Sequence, residues 1–456
     1  MYLEDTIAAI STPVGEGGIG IIRVSGPEAG AIARRIVQRA TNGDFESHRF
    51  CYGRVIDPAS GETVDEAMVV FMGAPRSFTR EDVLEIQCHG GYLVTRRVLE
   101  VVLACGARLA EPGEFTRRAY LNGRIDLVQA EAVIDVIRSK TEASLSLAQH
   151  QREGQLSDRL GAVRGSLLHA LALVEAFIDF PEDEIDPAAQ AEIEVLSRDA
   201  LMRIGELLAG FDEGRVLREG VSVLIAGKPN VGKSSLLNTL LQEKRAIVTS
   251  VPGTTRDIIE EVVNVRGLPL RMLDTAGIRA TEDIVEREGV RLALEKIPQA
   301  DLILFVLDGA RPFDADDRML LDSLEGKRFI AVVNKSDLPR RLELPAYLGG
   351  VESVFISTAT GDGIADLREV VFQIFIHGVA IDSREYVALS QTRHRDALVK
   401  AQGCITLFLA NLAAGHPLDL LAIDLKGALN AVGEVTGETT PDDVLDLIFQ
   451  RFCIGK

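Results

Sequence analysis

The sequence predicts a multidomain α/β protein: an α+β domain at the N-terminus, a helical domain in two pieces, and a doubly wound P-loop domain inserted between them. Three observations carry that expectation. Hydrophobic periodicity changes from short alternating runs to a three-to-four spacing near Asp126. From Val221 it changes to β-branched apolar runs alternating with helical stretches, and after about residue 380 the helical spacing returns. The helical segments on either side of the middle region are each short of partners, so the simplest assembly is one discontinuous helical domain holding an insertion. The expected boundaries are 1–118, 119–217, 218–379 and 380–456.

Taken in order, residues 1–118 read as short strands and turns with some helix. "GIGIIRVSG" (18–26) is β-branched and closes in Gly26–Pro27, and "EDVLEIQCHGG" (81–91) alternates apolar with polar residues before a double glycine. Asp126 is the expected N-cap of a helix, with Gln129 three residues later and Leu127, Ala130, Ile134 and Ile137 at helical spacing. A second helix carries Leu160, Val163, Leu167, Leu171, Val174 and Ile178 on one stripe and stops before Pro181. The acidic run "PEDEID" (181–186) reads as a solvated corner rather than a metal site, and "IEVLSRDALMRIGELLAGF" (193–211) continues the helical pattern. "VSVLIAG" (221–227), "LILFVLD" (302–308) and "FIAVVN" (329–334) read as buried parallel strands. Helices return in "RDALVKAQGCITLFLANL" (395–412) and "DLLAIDLKGALNAVG" (419–433).

Composition sets the outer limits. A chain of 456 residues is too long for one ordinary core, and its 46% apolar and 26% charged residues are those of a soluble globular protein. A net charge of −19 argues against a broad electrostatic grip on nucleic acid. Arg96–Arg97, Arg117–Arg118 and Arg340–Arg341 are the local basic pairs, each read as solvated surface; an RNA substrate would be held mostly by a partner. The five cysteines are scattered and never form C-x-x-C, so neither a zinc site nor a disulfide framework follows, and a reducing compartment is expected. "MYLEDTIAAI" lacks the basic start of a signal peptide, and no apolar run reaches the ~18 residues of a membrane span. The expected location is cytoplasmic.

The chemistry begins at "GKPNVGKSS" (227–235), which fits G-x-x-x-x-G-K-[ST] at Gly227, Gly232, Lys233 and Ser234, after a strand and at the opening of a helix. Such a loop converges backbone N–H groups on phosphate oxygens, with Lys233 reaching the β/γ-phosphates and Ser234 ligating Mg²⁺. "NKSD" (334–337) follows a buried strand, where Asp337 would accept two hydrogen bonds from guanine; adenine lacks that donor pair and would strand the carboxylate. "VPGTTRD" (251–257) sits where a first switch belongs, and "DTAG" (274–277) where Asp274 would hold the metal's water shell and Gly277 sense the γ-phosphate. Ile278 stands where many GTPases carry a water-orienting glutamine. "ISTATGDG" (356–363) is the candidate base-stacking loop, with Ser357, Thr358 and Ala359 departing from the usual Ser-Ala-Lys. The expected nucleotide contacts are therefore Asn230, Val231, Gly232, Lys233, Ser234 and Ser235; Thr249, Ser250, Val251, Pro252, Gly253, Thr254 and Thr255; Asp274, Thr275, Ala276 and Gly277; Asn334, Lys335, Ser336 and Asp337; and Ser357, Thr358 and Ala359. "GEGGIG" (15–20) fits a dinucleotide fingerprint, but a strand follows it where a helix is required, so it reads as a glycine-rich turn.

Over essentially the whole chain these residues resemble the bacterial tRNA-modification GTPases of the MnmE or TrmE family. "DTIAAISTPVGEGGIGIIRVSG", "SFTREDVLEIQCHGG" and the terminal "FCIGK" carry the resemblance. It implies a folate-binding-like N-terminal domain that also dimerises, and a Ras-like P-loop domain. By the same resemblance, Asn230, Thr249, Val251 and Thr254 would ligate K⁺ while Thr255 joins Ser234 on Mg²⁺. Such a cation would supply the charge that an arginine finger supplies elsewhere. Glu286 would be the catalytic residue that orients water; the sequence alone does not choose it over Glu282 or Asp283. Arg23, Glu81, Arg124 and Lys456 match positions for a tetrahydrofolate one-carbon derivative, 5-formyl- or methylene-tetrahydrofolate. The implied partners are a second copy of the chain, the FAD-containing MnmG (GidA) protein in a heterotetramer, and tRNA. The implied product carries a carboxymethylaminomethyl-type group on C5 of the wobble uridine. Cys453 is a tempting nucleophile, but no base lies beside it in sequence and packing is the plainer use. The competing readings are a GTP-dependent ribosome-assembly switch, which would call for a basic RNA-binding module, and a folate-responsive switch without tRNA chemistry.

Overall fold

The computed structural model describes residues 5–13, 15–39, 44–179, 187–242, 261–273, 295–345, 348, 350–377 and 387–456. The N-terminal strands are β1 (Ile7–Ile10), β2 (Ile19–Ser25), β3 (Val37–Arg39), β4 (Phe50–Ile56), β5 (Thr63–Met72), β6 (Val83–His89) and β7 (Arg108–Leu109). They form one sheet in the order β3-β4-β5-β6-β2-β1-β7, antiparallel except for the β1–β7 pair. Period-two alternation sets which side chains face inward: Ile22 and Val24 are fully buried, while Arg23 between them points to the other face. Helices Ala29–Ile36 and Tyr92–Ala104 cover one face through Ile32, Ile36, Val98 and Val102. Phe115, on helix Glu114–Leu121, packs with Ile7, Ala9 and Ala110 in a smaller cluster.

Arg118 corrects the sequence expectation of a solvated Arg117–Arg118 pair. It is 3% exposed and its guanidinium meets Asp5 at 2.6 Å, Glu114 at 3.0 Å and Glu81 at 3.2 Å. A buried cation is retained because several carboxylates replace its lost hydration. Arg117 is only partly exposed, paired with Asp446 at 2.9 Å.

The helical domain starts where the capping residues place it. The Asp126 side chain accepts from the Gln129 N–H and the Gln129 side chain accepts from the Asp126 N–H, opening helix Leu127–Arg138. Ile137, expected on its buried stripe, is 48% exposed. Helices Gln155–Asp179 and Pro187–Ala209 share one core with Thr392–Ala413 and Leu418–Thr436, so the two halves of the sequence make a single discontinuous domain. Gln155–Asp179 is long and apolar enough by length and composition to cross a membrane. Its stripe of Leu160, Val163, Leu167 and Val174 is fully buried in this shared core.

The inserted domain holds β8 (Val221–Ala226), β9 (Glu261–Val265), β10 (Leu268–Leu273), β11 (Leu302–Asp308), β12 (Phe329–Asn334) and β13 (Ser353–Phe355). Their order is β13-β12-β11-β8-β10-β9, parallel throughout except β9 against β10. Every residue of β8 and β11 is buried, as the unbroken apolar runs predict for strands covered on both faces. The carboxyl ends of β8 and β12 deliver the two motifs to one edge of the sheet.

Candidate functional site

The phosphate-binding loop leaves β8 at Gly227, whose φ of 152° and close approach to the Val306 carbonyl leave no room for a Cβ, which would lie 2.4 Å from that oxygen. Asn230 turns the loop at φ 61°, a conformation asparagine tolerates better than most residues. Gly232 follows at φ 101°, and a Cβ there would meet Asn334 Nδ2 at 2.1 Å. Lys233 opens helix Lys233–Gln242 and donates from Nζ to the Gly227 and Lys228 carbonyls at 2.8 and 2.7 Å. Its ammonium is thus held over the loop where phosphate oxygens would replace the carbonyls. Ser234 and Ser235 are exposed on the first turn of that helix.

Asn334 ties three loops together. It is fully buried at the end of β12; its Nδ2 donates to the Val231 carbonyl at 2.8 Å and its Oδ1 accepts the Thr358 N–H at 3.1 Å. Lys335, at φ 66°, donates to the Asn230 carbonyl at 3.0 Å and to Asp308 Oδ2 at 2.7 Å. Burial pushes the Asp308 carboxyl up, but the Lys335 hydrogen bond and charge outweigh it and hold the group below the usual carboxylate range. Asp337 is exposed, and its Oδ1 accepts from Ser357 Oγ at 2.6 Å. Ser336 is joined to the same loop by its N–H, which donates to the Ile356 carbonyl at 3.0 Å. Ala359 N–H donates to Ser357 Oγ at 3.3 Å. The loop that departs from Ser-Ala-Lys therefore still meets the Asp337 carboxylate. Sequence reasoning missed Asp308; its signal was an acid at the carboxyl end of a buried strand.

Thr249, Ser250, Val251, Pro252, Gly253, Thr254, Thr255, Asp274, Thr275, Ala276, Gly277, Ile278 and Glu286 lie outside the described residues.

The four residues expected around a folate divide into groups. Arg23 on β2 stands opposite Glu85 on β6 in register, with Nε and Nη2 both 2.8 Å from Glu85 Oε1. Arg23 Nη1 donates to the Gly455 carbonyl at 3.4 Å, which also accepts from Ser11 Oγ at 3.2 Å, so the chain terminus is fastened to the N-terminal sheet. Gly455, at φ 92°, lies against the Ile10 carbonyl where a Cβ would be 2.5 Å away. Burial, with the Arg23 charge nearby, lowers the Lys456 ammonium below its usual value. Glu81 belongs to the Arg118 network and accepts from Ser25 Oγ at 2.7 Å. Arg124 lies over the Phe78 ring at 5.3 Å and donates to the Ser77 carbonyl at the wall of an open cleft. Glu85 and Arg118 are the partners that sequence missed, because cross-strand register and tertiary packing alone reveal them.

The family description "GTP-binding protein TrmE N-terminus" matches residues 6–124, and "MnmE helical domain" matches residues 127–453. The tRNA modification GTPase MnmE of Geobacter metallireducens is 80% identical over 457 residues, covering 100% of both chains. That of Geobacter sulfurreducens is 73% identical over 100% of both, and that of Geobacillus kaustophilus 48% identical over 99% of both. Among solved structures, the G domain of the T. maritima FeoB iron transporter is 28% identical, covering 34% of this chain and 97% of its own, with a TM-score of 0.26. Full-length identities of this size, with both family descriptions spanning nearly the whole sequence, leave one conclusion: the chain belongs to the MnmE (TrmE) family of tRNA modification GTPases.

Proposed function

We propose that this GTPase is stimulated by K⁺ and works with an FAD-containing partner of the MnmG (GidA) type on tRNA. The product is a carboxymethylaminomethyl-type group on C5 of the wobble uridine, built with a tetrahydrofolate one-carbon unit. The observation that carries the nucleotide half is the fastening of three loops by Asn334, which leaves the P-loop, Asp337 and Ser357–Ala359 facing one space. In that space Asp337 selects guanine, Lys233 neutralises the β/γ-phosphates, and Ser234 with Thr255 holds Mg²⁺. Asn230 fits a monovalent cation: it is exposed at the crest of the loop, its turn is fixed by Lys335, and it offers a neutral oxygen of the kind that suits K⁺. Bound there with Thr249, Val251 and Thr254, K⁺ supplies positive charge beside the phosphates. Glu286 orients the attacking water, which frees position 278 to be Ile.

The folate half rests on Arg23 and Lys456. Two cations brought together at a half-buried terminus favour an arriving carboxylate, because it relieves their mutual repulsion. Glu81 and Arg124 complete the contacts to the carrier. Homodimerisation is supported by the outward face of the N-terminal sheet, where Phe50 and Tyr52 are each 51% exposed and Met68, opposite Tyr52, 41%. The assembly is cytoplasmic, and the partner contributes most of the tRNA contact, in keeping with the −19 charge of this chain.

The test is GTP hydrolysis in K⁺ against Na⁺ at equal ionic strength. K⁺ should accelerate the native protein at least tenfold, Asn230→Ala should lose that response, and Glu286→Ala should bind GTP but turn it over at least 100-fold more slowly, roughly the range for lost acid–base or water-positioning groups. Hydrolysis that ignores K⁺ and survives loss of Glu286 removes this mechanism. Absence of the modified nucleoside in a deletion strain, restored by the native chain, separates tRNA modification from ribosome assembly or a purely folate-responsive switch.

A further inference from the structure

Positive φ at non-glycine residues marks three places among the described residues: the turn between β9 and β10 at Arg266 (φ 51°), the nucleotide site, and one cleft of the N-terminal domain. Among the described residues five non-glycines have positive φ; Asn230 and Lys335 sit in the nucleotide site, while His48 (φ 65°) and Arg80 (φ 60°) line a single cleft of about 560 Å³ in the N-terminal domain. Such conformations are strained and persist where the surroundings impose them, characteristically at ligand sites. Here the surroundings do impose them. Arg80 donates from Nη1 to the Asn122 carbonyl at 2.9 Å, and Asn122 Nδ2 donates back to the Thr79 carbonyl at 2.6 Å. His48 Nδ1 is hydrogen-bonded to Ser47 Oγ at 2.7 Å, and that hydroxyl accepts the Gly73 N–H at 2.9 Å. His48 and Arg80 thus line a cleft that is also walled by Arg76, Arg124 and Phe78, with the Arg124 guanidinium over the Phe78 ring.

Three arginines and a histidine in one cleft are exceptional on a chain of net charge −19. The segment that carries Arg76, Phe78 and Arg80 also sets Glu81 against Ser25 and Arg118, so the cleft adjoins the residues assigned above to the one-carbon carrier. The carrier's single glutamate has only an α- and a γ-carboxylate; the Arg23–Lys456 pair and Arg124 account for both, which leaves Arg76 and Arg80 with nothing comparable to bind. We propose that the cleft is a subsite for the oligo-γ-glutamate tail of the folate, with Arg76 and Arg80 selecting polyglutamylated carriers over the monoglutamate. The inference rests on the folate reading and adds to it a ligand class and two specificity-determining residues.

The experiment measures, by titration calorimetry, the affinity of the full-length protein for 5-formyltetrahydrofolate monoglutamate and triglutamate at two salt concentrations. Arg76→Gln/Arg80→Asn is measured alongside, asparagine being chosen because it tolerates the positive φ at position 80; a melting scan checks its folding. Two further exposed carboxylate–guanidinium pairs should make the triglutamate bind about tenfold tighter, and more steeply with falling salt. In the double variant that preference should collapse to the monoglutamate level. Equal affinity of the two ligands for the native protein overturns the tail subsite while the folate reading stands. A preference that survives the double variant overturns the assignment of Arg76 and Arg80. Failure of both ligands to bind removes the folate reading and this inference with it.

Discussion

Replacing Asn334 with Ala tests whether one buried amide organises the nucleotide site. The side chain is fully buried, and its removal strands the Val231 carbonyl and the Thr358 N–H, each of which has that amide as partner. A buried backbone group left unpaired costs about 1–3 kcal/mol, so two cost about 2–6 kcal/mol. In the nucleotide-free protein the two loops can part and admit water, which relieves most of that penalty. Nucleotide binding then has to draw them together again, so about 3 kcal/mol of it falls on affinity, or about 150-fold in Kd. The assay is equilibrium titration with a fluorescent GDP analogue in Mg²⁺ buffer. Asn334→Asp sharpens it: the carboxylate can still accept from Thr358 but would face the Val231 carbonyl oxygen, so it should bind at least as poorly as the alanine variant. A change below threefold for Asn334→Ala, or an aspartate variant near the native affinity, would refute the reasoning.

Asp337→Asn should lower GTP affinity about 100-fold or more and move preference toward xanthosine triphosphate, whose C2 carbonyl accepts from an amide where guanine's amine cannot; competition binding between the two nucleotides decides it. Glu131 supplies a pH prediction. It is 4% exposed and bonded to His394 Nε2 at 2.7 Å and Arg393 Nη2 at 2.9 Å. Burial alone would raise its carboxyl, but the neighbouring His394 and Arg393 charges prevail and hold it at about 2, below the ordinary 4.5. A depressed carboxylate contributes stability that is fully present above pH 4.5 and lost as pH falls from there towards 2, about 3 kcal/mol over the whole interval. The urea midpoint of the helical domain should therefore drop across that window in the native protein. Glu131→Gln should already be several kcal/mol less stable at pH 7, since it leaves Arg393 without its counter-charge; an unchanged midpoint at pH 7 would sink this account.

What the sequence made legible was what a single segment decides for itself. The P-loop and the N-K-x-D motif declare their place through spacing from a buried strand, and β8 and β12 end where that spacing requires. The Asp126–Gln129 capping box is likewise a matter of three residues. Illegible were the decisions made between segments. Arg118 looked solvated because Asp5 and Glu81, which surround it, are distant in sequence. Glu85 became the partner of Arg23 only once β2 and β6 fixed their register. The bond from Ser11 to Gly455 spans 444 positions, a distance over which no local pattern speaks.

The insertion itself shows why the domain organisation could be read while its mechanics could not. Two crossings of the chain join the helical domain to the GTPase domain, and a change of hydrophobic period marks both. What stiffens them is a set of contacts with no sequence signature. The Asp135 carboxylate takes Arg218 Nε at 2.9 Å on helix Phe211–Glu219, directly before β8. Gln151 Nε2, on the neighbouring helix Glu142–Arg152, donates to the Ala388 carbonyl at 2.9 Å in the returning segment just before helix Thr392–Ala413. The crossings also touch each other: a Cβ on Gly214 would lie 2.1 Å from the Leu389 carbonyl. Ala143 and Leu147 of that same helix Glu142–Arg152 belong to the core that contains β8 and β10. A joint held by two polar clasps, a backbone contact that only glycine permits and a shared apolar core behaves as part of both domains. The two crossings are therefore packed segments of both domains and not a loose linker, and β8 and β10 share their core with a helix of the helical half of the chain.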